Sequence, residues 1–507
     1  MGAHKMINSV GRNGLDNPFE GAFANVKPAN YEIKKSKDNV PNFNTSLTDL
    51  LDKLPLKDGM TISFHHHLRN GDYVLNMVME EIHKRGYKDI KIAATSIFPC
   101  HEPLVKMLED ETVTKIYASY YSGPVAKAIS VGKCKDICVV STHGSRPRAI
   151  LEGELKIDIA FIAAPAVDKD GNISGSEGPS SCGVLGYAIA DAHCADVVVA
   201  LTDYITDKVN KIEIESYLVD EIIELESIGD AAGIVSGTTQ ITKDPVGLKI
   251  ARDCATLIEH SGLLKDGFSF QTGAGGTSLA VAQEVKFLMK DKGIKGSFAS
   301  GGITGYLVEM LEDGLFEKLY DVQCFDLAAV KSIKVNENHR KMSANEYANI
   351  NNTENIASKL DVVILGASEI DLDYNVNVTT GSDGIILGGS GGHADTAAGA
   401  KLSIIVSKLV NARISCLVDK VTTITTPGET IDILVTERGI AINPKHADLI
   451  ANLKENTNLE ILTIEELKNI ADELTGIPNK FETTHDVVAI SEYRDGTVLD
   501  VIYRVEE

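Results

Sequence analysis

Residues 157–174 read IDIAFIAAPAVDKDGNIS, and residues 360–377 read LDVVILGASEIDLDYNVN. The two stretches align without a gap, and in each an apolar run is followed by an acidic turn that carries Asn. A second pair, LKDGM at 56–60 and LKDGF at 264–268, recurs at nearly the same spacing along the chain. Because this spacing is far longer than a solenoid repeat, the sequence predicts two related domains.

Apolar runs of strand length alternate with amphipathic helical stretches from Leu47 onward. MTISFH (60–65) and DIAFIAAP (158–165) are such runs in the first half, and GFSFQT (267–272) and DVVILG (361–366) are their counterparts in the second. Short buried strands that alternate with helices are typical of parallel sheets. The predicted fold class is therefore α/β, with two homologous doubly wound domains and largely parallel sheets.

Composition places the domain limits. Residues 1–45 are rich in Asn, Gly and Lys and predict an N-terminal arm. The Gly- and Thr-rich stretch GDAAGIVSGTTQITK (229–243) interrupts the alternating pattern, which predicts a first domain over 46–235 and a second over 236–507. Two related domains usually place one site at their junction, beyond the carboxyl ends of the strands.

Bulk properties exclude several classes of partner. The 507 residues carry a formal net charge of −23, which argues against a nucleic-acid or anionic membrane surface. The eight cysteines are scattered without a C-x-x-C pair, so reduced thiols are expected. No apolar run reaches the roughly 18 residues of a membrane span, and no signal peptide opens the sequence. We therefore expect a cytoplasmic protein without a membrane partner.

Two glycine-rich loops are candidates for holding a thioester. GAGG (273–276) lies between a predicted strand and a predicted helix, and GGSGGHAD (388–395) is denser in glycine than a turn requires. Backbone N–H groups in such loops can approach an anion or a carbonyl oxygen, although glycine also makes tight turns with nothing bound. The candidate residues are Gly273, Gly275, Gly276, Gly391, Gly392 and His393.

Two cationic loops follow strands of the first domain. They read HHHLR (65–69) and THGSRPR (142–148). An arginine fork suits carboxylates, while a capped turn and a surface arginine pair are the structural alternatives. Three adjacent histidines cannot all face one ligand, so no metal site is predicted. The candidate substrate-binding residues are His65, His66, Arg69, His143 and Arg146.

A site with one cationic wall and one glycine-backbone wall suits a reaction between a polycarboxylate and an acyl group. The second half resembles the CoA-transferases in QTGAGG (271–276), ASEIDLDYNVNVTTGSDG (367–384), GGSGGHADTAAGA (388–400) and VTTITTPGETIDILVTERGIAIN (421–443). With SFHHHLRNGD in the first half, residues 45–507 resemble the α subunits of the bacterial citrate lyases.

The resemblance implies a transferase that exchanges acetyl for citryl on the thioester of an acyl carrier subunit, releasing acetate. It implies a complex with a β subunit, which cleaves the citryl thioester to oxaloacetate, and with the γ (acyl carrier) subunit. The carrier's prosthetic group is a dephospho-CoA derivative of the phosphopantetheine type. The chain itself would therefore need no tightly bound cofactor, and acetyl-CoA could replace the carrier thioester.

The sequence departs from the glutamate-dependent CoA-transferases at one position. The strand that should end in a nucleophilic Glu reads SFASGGIT (297–304), and Gly302 occupies the expected position. This favours direct attack of a citrate carboxylate on the acetyl thioester over a glutamyl intermediate. Glu177 and Glu369 are the spare nucleophile candidates. Another acyl-CoA:carboxylate CoA-transferase and a non-catalytic ligand sensor are the alternatives. The missing Glu argues against the first, and the absence of an output module argues against the second.

Overall fold

The computed structural model describes residues 17–29, 31, 35–235, 240–476 and 484–506. Two large sheets, of ten and nine strands, dominate the architecture, and helices connect most neighbouring strands. Three small sheets of two or three strands complete it. The α/β class with largely parallel sheets is thereby confirmed.

The first half supplies eleven strands and six helices in the described residues. The strands are β1 (Asn42–Asn44), β2 (Thr61–Phe64), β3 (Ile90–Ala94), β4 (Val113–Ala118), β5 (Cys138–Val140), β6 (Ile159–Ala163), β7 (Ala166–Asp168), β8 (Ile173–Ser174), β9 (Val197–Thr202), β10 (Ile205–Thr206) and β11 (Glu221–Glu224). The helices are α1 (Leu47–Lys53), α2 (Val74–Lys84), α3 (Leu104–Glu109), α4 (Gly123–Ser130), α5 (Ser145–Leu151) and α6 (Ala188–Cys194). Short 3-10 turns cover Arg69–Gly71, Pro99–His101, Ser216–Leu218 and Ala231–Ile234.

The second half continues the numbering. Its strands are β12 (Ser269–Thr272), β13 (Gly296–Ile303), β14 (Phe316–Cys324), β15 (His339–Lys341), β16 (Val362–Leu365), β17 (Glu369–Asp371), β18 (Val376–Asn377), β19 (Leu402–Val406), β20 (Val410–Asn411), β21 (Ile414–Ser415), β22 (Leu417–Val418), β23 (Ile433–Thr436), β24 (Gly439–Ile442), β25 (Ile461–Leu462), β26 (Val487–Glu492) and β27 (Val498–Tyr503). Its helices are α7 (Pro245–His260), α8 (Gly276–Lys292), α9 (Gly305–Glu312), α10 (Leu327–Val335), α11 (Ala344–Ala348), α12 (His393–Gly399), α13 (Ala447–Asn456) and α14 (Ile464–Thr475). Its 3-10 turns cover Ala357–Lys359, Gly428–Thr430 and Pro444–His446.

The two sheets share one strand order. The first runs β11-β9-β6-β2-β3-β4-β5 through its centre, and the second runs β23-β19-β16-β12-β13-β14-β15. Neighbouring strands within both series pair in parallel. The repeated stretches 157–174 and 360–377 form the equivalent strands β6 and β16 and the hairpins that follow them.

Identical hydrogen bonds accompany the repeated aspartates. Asp158 Oδ2 accepts a hydrogen bond from the N–H of Thr61 at 2.8 Å, and Asp361 Oδ2 accepts one from Ser269 at 2.8 Å. Each carboxylate thus ties the start of its strand to the neighbouring one. The aspartate in each following turn also accepts an N–H four residues later, at 2.9 Å in both halves. The repeated sequence therefore corresponds to a repeated structure.

The ends of the chain cross between the halves. The hairpin β26–β27 belongs to the first sheet, where Ile490 lies opposite Val139 of β5 in a parallel pair. The end of the arm forms the opposite edge, with Phe43 opposite Ile222. Residues 484–506 therefore lie with the first sheet, although the sequence places them in the second half. Part of the predicted boundary, residues 236–239, lies outside the described residues.

Buried apolar side chains of both halves belong to one large contiguous core. It includes Ile62 and Ile159 from the first sheet and Phe270 and Ile364 from the second. A continuous core of this kind holds the loops at the carboxyl ends of both sheets in fixed positions. Within the described residues, no helix is both long enough and apolar enough to cross a membrane.

Candidate functional site

Loops from the two halves meet at the carboxyl ends of their strands. The backbone N–H of His143 donates to the carbonyl oxygen of Gly391 at 2.7 Å, and the N–H of Gly391 donates to Ser119 O at 3.0 Å. Tyr121 N–H also donates to Gly388 O at 3.1 Å. The second glycine loop therefore continues the first sheet by backbone pairing and forms a joint between the halves.

A group of aromatic, imidazole and guanidinium side chains lies beside this joint. The rings of His143 and Tyr187 are 4.6 Å apart between centroids, and those of His66 and Tyr187 are 5.0 Å apart. His66 and His143 are stacked at 5.9 Å. We name this group the joint cluster, and its members are His66, Arg69, Phe98, His143, Tyr187 and Phe325.

Arg69 is the cation of the joint cluster. Its guanidinium carbon lies 4.7 Å from the ring centroid of Phe325 and 5.6 Å from that of Phe98, so two aromatic faces flank it. Within the described residues it forms no ion pair, and its Nη1 is buried without a hydrogen-bond partner. Burial lowers the pKa of Arg69 from its usual value. An unpaired arginine in such a position can receive a carboxylate of a ligand.

The backbone of Arg69 is also unusual. Its φ is +53°, a left-handed conformation that residues with a side chain rarely adopt. The conformation ends the turn after β2, where the N–H of Arg69 donates to His66 O at 2.8 Å. Local strain of this kind persists where the surroundings hold a residue in a required position.

The two histidines of the cluster are uncharged near neutral pH. Burial lowers the pKa of His143 to about 3, with a further contribution from Arg146. Burial, His143 and Arg69 together hold the pKa of His66 well below its usual value. A neutral imidazole can donate or accept one hydrogen bond at each nitrogen, according to its tautomer. Nδ1 of His143 is buried and has no partner among the described residues, so this ring has bonding capacity in reserve.

Arg146 was predicted to bind substrate beside Arg69, but both terminal nitrogens of its guanidinium are already occupied, and only its buried Nε has no partner among the described residues. It forms a bidentate pair with Asp191, at 2.7 and 2.8 Å, and it donates to Ala93 O at 3.1 Å. His65 Nε2 lies 3.1 Å from the same carboxylate, and both side chains are fully buried. Although burial favours protonation, Arg146 and His65 hold the pKa of Asp191 well below its usual range. Arg146 and His65 therefore form an internal ion cluster beneath the site.

His393 is likewise held by the protein. Its Nδ1 lies 2.8 Å from Thr426 Oγ1 and its Nε2 lies 2.9 Å from Gly366 O, so both ring nitrogens have partners. Burial lowers its pKa to about 4. The structure thus places His393 in the packing of the second half and leaves no nitrogen for a ligand.

The first glycine loop has backbone donors to offer. Gly275 is the N-cap of the 17-residue helix α8 and Gly276 is its first residue, so their N–H groups have no partner inside the helix. The N–H of Gly273 donates instead to Ile364 O at 2.9 Å. A Cβ at Gly275 would meet only Ser278 Oγ, at 3.9 Å, so close packing does not explain this glycine.

The second glycine loop is packed against the opposite half. A Cβ at Gly389 would lie 2.4 Å from Ser119 O, and one at Gly392 would lie 2.4 Å from Tyr347 Oη. Gly391 has a φ of +51°, and its N–H and carbonyl groups both pair with the first half. Gly389 and Gly391 therefore serve close approach of the halves, whereas Gly392 serves packing within the second half. The N–H of Gly391, predicted to border the thioester, is already engaged.

A side chain at Gly302 would require the ring of Phe325 to move. A Cβ built there would lie 2.3 Å from the ring of Phe325, the same ring that supports Arg69. The two spare glutamates are bonded elsewhere. Glu177 accepts the backbone and side-chain N–H groups of Asn210 at 2.8 and 2.9 Å. Glu369 accepts Thr422 N–H at 2.8 Å, and Asn377 also donates to it.

Sequence reasoning missed three aromatic members of the joint cluster, which are Phe98, Tyr187 and Phe325. None of them lies in a glycine-rich or charged motif, so local composition provided no signal. Gln323 was also missed; its Nε2 donates to His66 O at 3.1 Å across the joint. In the part of the chain that the structure describes, no group of three or more His, Cys, Asp or Glu residues is arranged to hold a metal ion.

Known proteins are similar to this chain over almost its whole length. The family described as "Citrate lyase, alpha subunit (CitF)" matches residues 41–505. The citrate lyase alpha chain of Haemophilus influenzae is 46% identical over 464 residues, covering 91% of this chain and 93% of the relative. That of Escherichia coli is 45% identical over 487 residues, covering 96% and 95%.

Solved structures show the same fold. The α subunit of citrate lyase from Streptococcus mutans, solved in complex with citrate, has a TM-score of 0.91 at 45% identity and covers 95% of both chains. The α subunit of a malonate decarboxylase from Acinetobacter baumannii shares the fold alone, with a TM-score of 0.63 at 14% identity over 87% of this chain and 94% of that one. The chain belongs to the family of citrate lyase α subunits.

Proposed function

We propose that this chain catalyses the transferase step of citrate lyase, in which acetyl on a carrier thioester is exchanged for citryl. The observation that carries the proposal is the guanidinium of Arg69, which lies unpaired at the joint of a chain from this family. The relative from Streptococcus mutans holds citrate. A citrate carboxylate would here lie on Arg69, between the rings of Phe98 and Phe325.

The neutral imidazoles of the joint cluster would complete the citrate pocket. Citrate carries several carboxylates and a hydroxyl, so it needs hydrogen-bond partners besides one cation. His143 has a ring nitrogen without a partner among the described residues, and its ring stacks with that of His66. Arg146 and His65 would support the pocket indirectly, because they hold Asp191 and the loops around it in place.

The chemistry would proceed without a nucleophile from the protein. A citrate carboxylate oxygen attacks the thioester carbonyl, the carbon–sulfur bond breaks, and an acetyl–citryl anhydride and a thiolate form. The thiolate then attacks the citryl carbonyl and expels acetate, which leaves citryl on the carrier. Phe325 supports this route because its ring fills the space beside Gly302 where a glutamate would stand.

The first glycine loop would stabilise the oxyanion. Each step passes through a tetrahedral intermediate with a negative oxygen, and backbone N–H groups aimed at that oxygen lower the barrier. Gly275 and Gly276 supply such groups at the N-terminus of α8, where the helix dipole adds to their effect. Orientation of two bound reactants would provide the remaining acceleration.

The chain would work within a multi-subunit complex in the cytoplasm. Its partners would be the γ (acyl carrier) subunit, whose dephospho-CoA-derived arm presents the thioester, and the β subunit, which cleaves citryl thioester to oxaloacetate. The chain itself would hold no tightly bound cofactor. Citrate and acetate would be its small-molecule substrate and product.

The test uses the purified chain, an acetylated carrier and citrate. Acetate should be released and citryl should appear on the carrier, while no oxaloacetate forms until the β subunit is added. Succinate or malonate in place of citrate serves as the control for a general CoA-transferase. Oxaloacetate formed by the chain and carrier alone would contradict this division of labour, and equal rates with succinate would favour the broader transferase.

A further inference from the structure

We propose that Asp395 is a positioning residue for the transfer, acting from the second half to hold His143 at the joint. The inference rests on the proposed function, because it assigns a role in that reaction to a residue that, among the described residues, forms no hydrogen bond with a side chain of the joint cluster. The structural basis is a set of hydrogen bonds to the residues on either side of His143.

Asp395 binds both neighbours of His143. Its Oδ1 accepts a hydrogen bond from Thr142 Oγ1 at 2.9 Å, and its Oδ2 accepts one from the N–H of Gly144 at 2.9 Å. The N–H of His143 itself donates to Gly391 O at 2.7 Å. Three consecutive residues of the first half are therefore held by one short segment of the second, 391–395.

Close approach makes this arrangement specific. A Cβ at Gly144 would lie 2.6 Å from Asp395 Oδ1 and 2.1 Å from Ala348 O, so only glycine lets the carboxylate reach the loop. Asp395 is fully buried, and Arg494 of the C-terminal hairpin places its Nε 3.8 Å from Oδ1. A charged group is costly to bury, so packing alone would favour an apolar side chain at this position over a carboxylate.

The ring of His143 needs such support. Among the described residues, no hydrogen bond involves its imidazole, and its closest ring partner is Tyr187 at 4.6 Å. Stacking defines the plane of a ring but holds its position along that plane weakly. The backbone around His143 must therefore set where its nitrogen points. Asp395 contributes two of the hydrogen bonds that hold this loop, one from the backbone N–H of Gly144 and one from the side chain of Thr142.

A double-mutant cycle tests the proposal. The variants are Asp395→Ala, His143→Ala and both together, assayed for acetate release over a range of citrate concentrations. Because a misplacement of about 1 Å can cost about 100-fold, Asp395→Ala should lower kcat/KM for citrate by about 10- to 100-fold. In the His143→Ala background the same change should cost less than about 3-fold, because no ring is left to position.

Conservative variants guard against misfolding. Asp395→Asn keeps an acceptor for Gly144 and should retain most of the activity. Thr142→Val removes the hydrogen bond to Asp395 and the one that Thr142 Oγ1 accepts from the N–H of Ser145, and it should show a smaller loss that also disappears without His143. These two variants complete the cycle if Asp395→Ala does not fold. Asp371→Asn, at another buried carboxylate that accepts backbone N–H groups, is the matched control and should leave kcat/KM unchanged.

Equal losses from Asp395→Ala with and without His143 would overturn the positioning role and leave a purely structural one. Full activity of a folded Asp395→Ala chain would overturn it as well. A wild-type chain that releases no acetate from the acetylated carrier would instead contradict the proposed function. The two failures are therefore distinguishable.

Discussion

Exchanging each of two arginines for methionine should separate binding from stability. Arg69 and Arg146 both follow strands of the first sheet, and both resemble anion-binding residues in the sequence. In the structure Arg69 has no ion pair among the described residues, whereas Arg146 is bound to the buried Asp191. Methionine keeps most of the length of the side chain and removes only the charge and the donors.

Arg69→Met should mainly lower kcat/KM for citrate, whereas Arg146→Met should mainly lower the free energy of unfolding. Loss of one partner from a buried charged contact costs about 2–5 kcal/mol, so Arg69→Met should lower kcat/KM for citrate by roughly 30- to 5,000-fold. Its free energy of unfolding should change by less than about 1 kcal/mol, because burial already disfavours this unpaired charge. Arg146→Met leaves Asp191 buried without its main partner and should cost about 3–5 kcal/mol of stability.

Two measurements check both expectations. Acetate release from acetylated carrier is followed against citrate concentration, and denaturant unfolding gives the free energy of each variant. Arg69→Lys is the control, since it keeps the charge but loses the planar face that stacks on Phe325. Unchanged citrate saturation in folded Arg69→Met would refute the assignment of the cation. Loss of citrate saturation in a stable Arg146→Met would return Arg146 to the pocket.

Three further outcomes are expected. Gly275→Ala should lower turnover while unfolding stays unchanged, because its φ is −71° and the new methyl group would meet only Ser278 Oγ at 3.9 Å; equal damage to both would make this glycine structural. Intact-mass analysis after incubation with acetyl-CoA should show the unmodified chain, because position 302 holds glycine where a nucleophilic glutamate is expected. A stable adduct would restore a covalent route. Burial raises the pKa of Asp395 from 3.8 to about 6 although Arg494 opposes the shift, so its ionisation opposes folding. Asp395→Asn should therefore gain stability over the wild type as the pH rises from about 4 to about 6, by up to about 3 kcal/mol, and a constant difference across that range would contradict the shift.

The fold could be predicted because its signals are local and repeated. Apolar runs of strand length identified β2, β6, β12 and β16, and the duplicated aspartates identified equivalent positions. The sequence contains no comparable signal for the strand with which a C-terminal strand pairs. β26 pairs with β5, hundreds of residues away in sequence, and β27 pairs with β26. Alternation alone does not state which sheet a strand joins.

The stretch ISCLVD (414–419) shows the limit of reading apolar runs. Its apolar, β-branched composition predicts one buried strand, but the structure divides it into β21 and β22, which belong to two different small sheets. Cys416 lies between them, and its N–H donates to Leu409 O at 2.9 Å. Short apolar runs are ambiguous because burial does not specify a single pairing partner.

The sequence predicted which loops form the candidate site, but not which of their residues are free to bind a ligand. Both cationic loops do lie beside the joint, as the strand ends imply. Which arginine is free depends on Asp191, a residue of a later helix that the loop sequences do not mention. The roles of the two glycine loops also depend on residues outside them. Only the neighbouring backbone shows that Gly389 serves packing and that Gly275 does not.

Phe325 links the glycine at position 302 to the cation that we propose binds citrate. The ring of Phe325 lies against Gly302. The guanidinium carbon of Arg69 lies 4.7 Å from the centroid of the same ring. A glutamate at position 302 would overlap this ring, and moving the ring would remove the support of the guanidinium. A chain of this architecture can therefore hold either a nucleophile at that strand end or Arg69 in its present place. In a reaction whose acceptor carries its own carboxylate nucleophile, the second arrangement binds the acceptor and dispenses with the covalent intermediate.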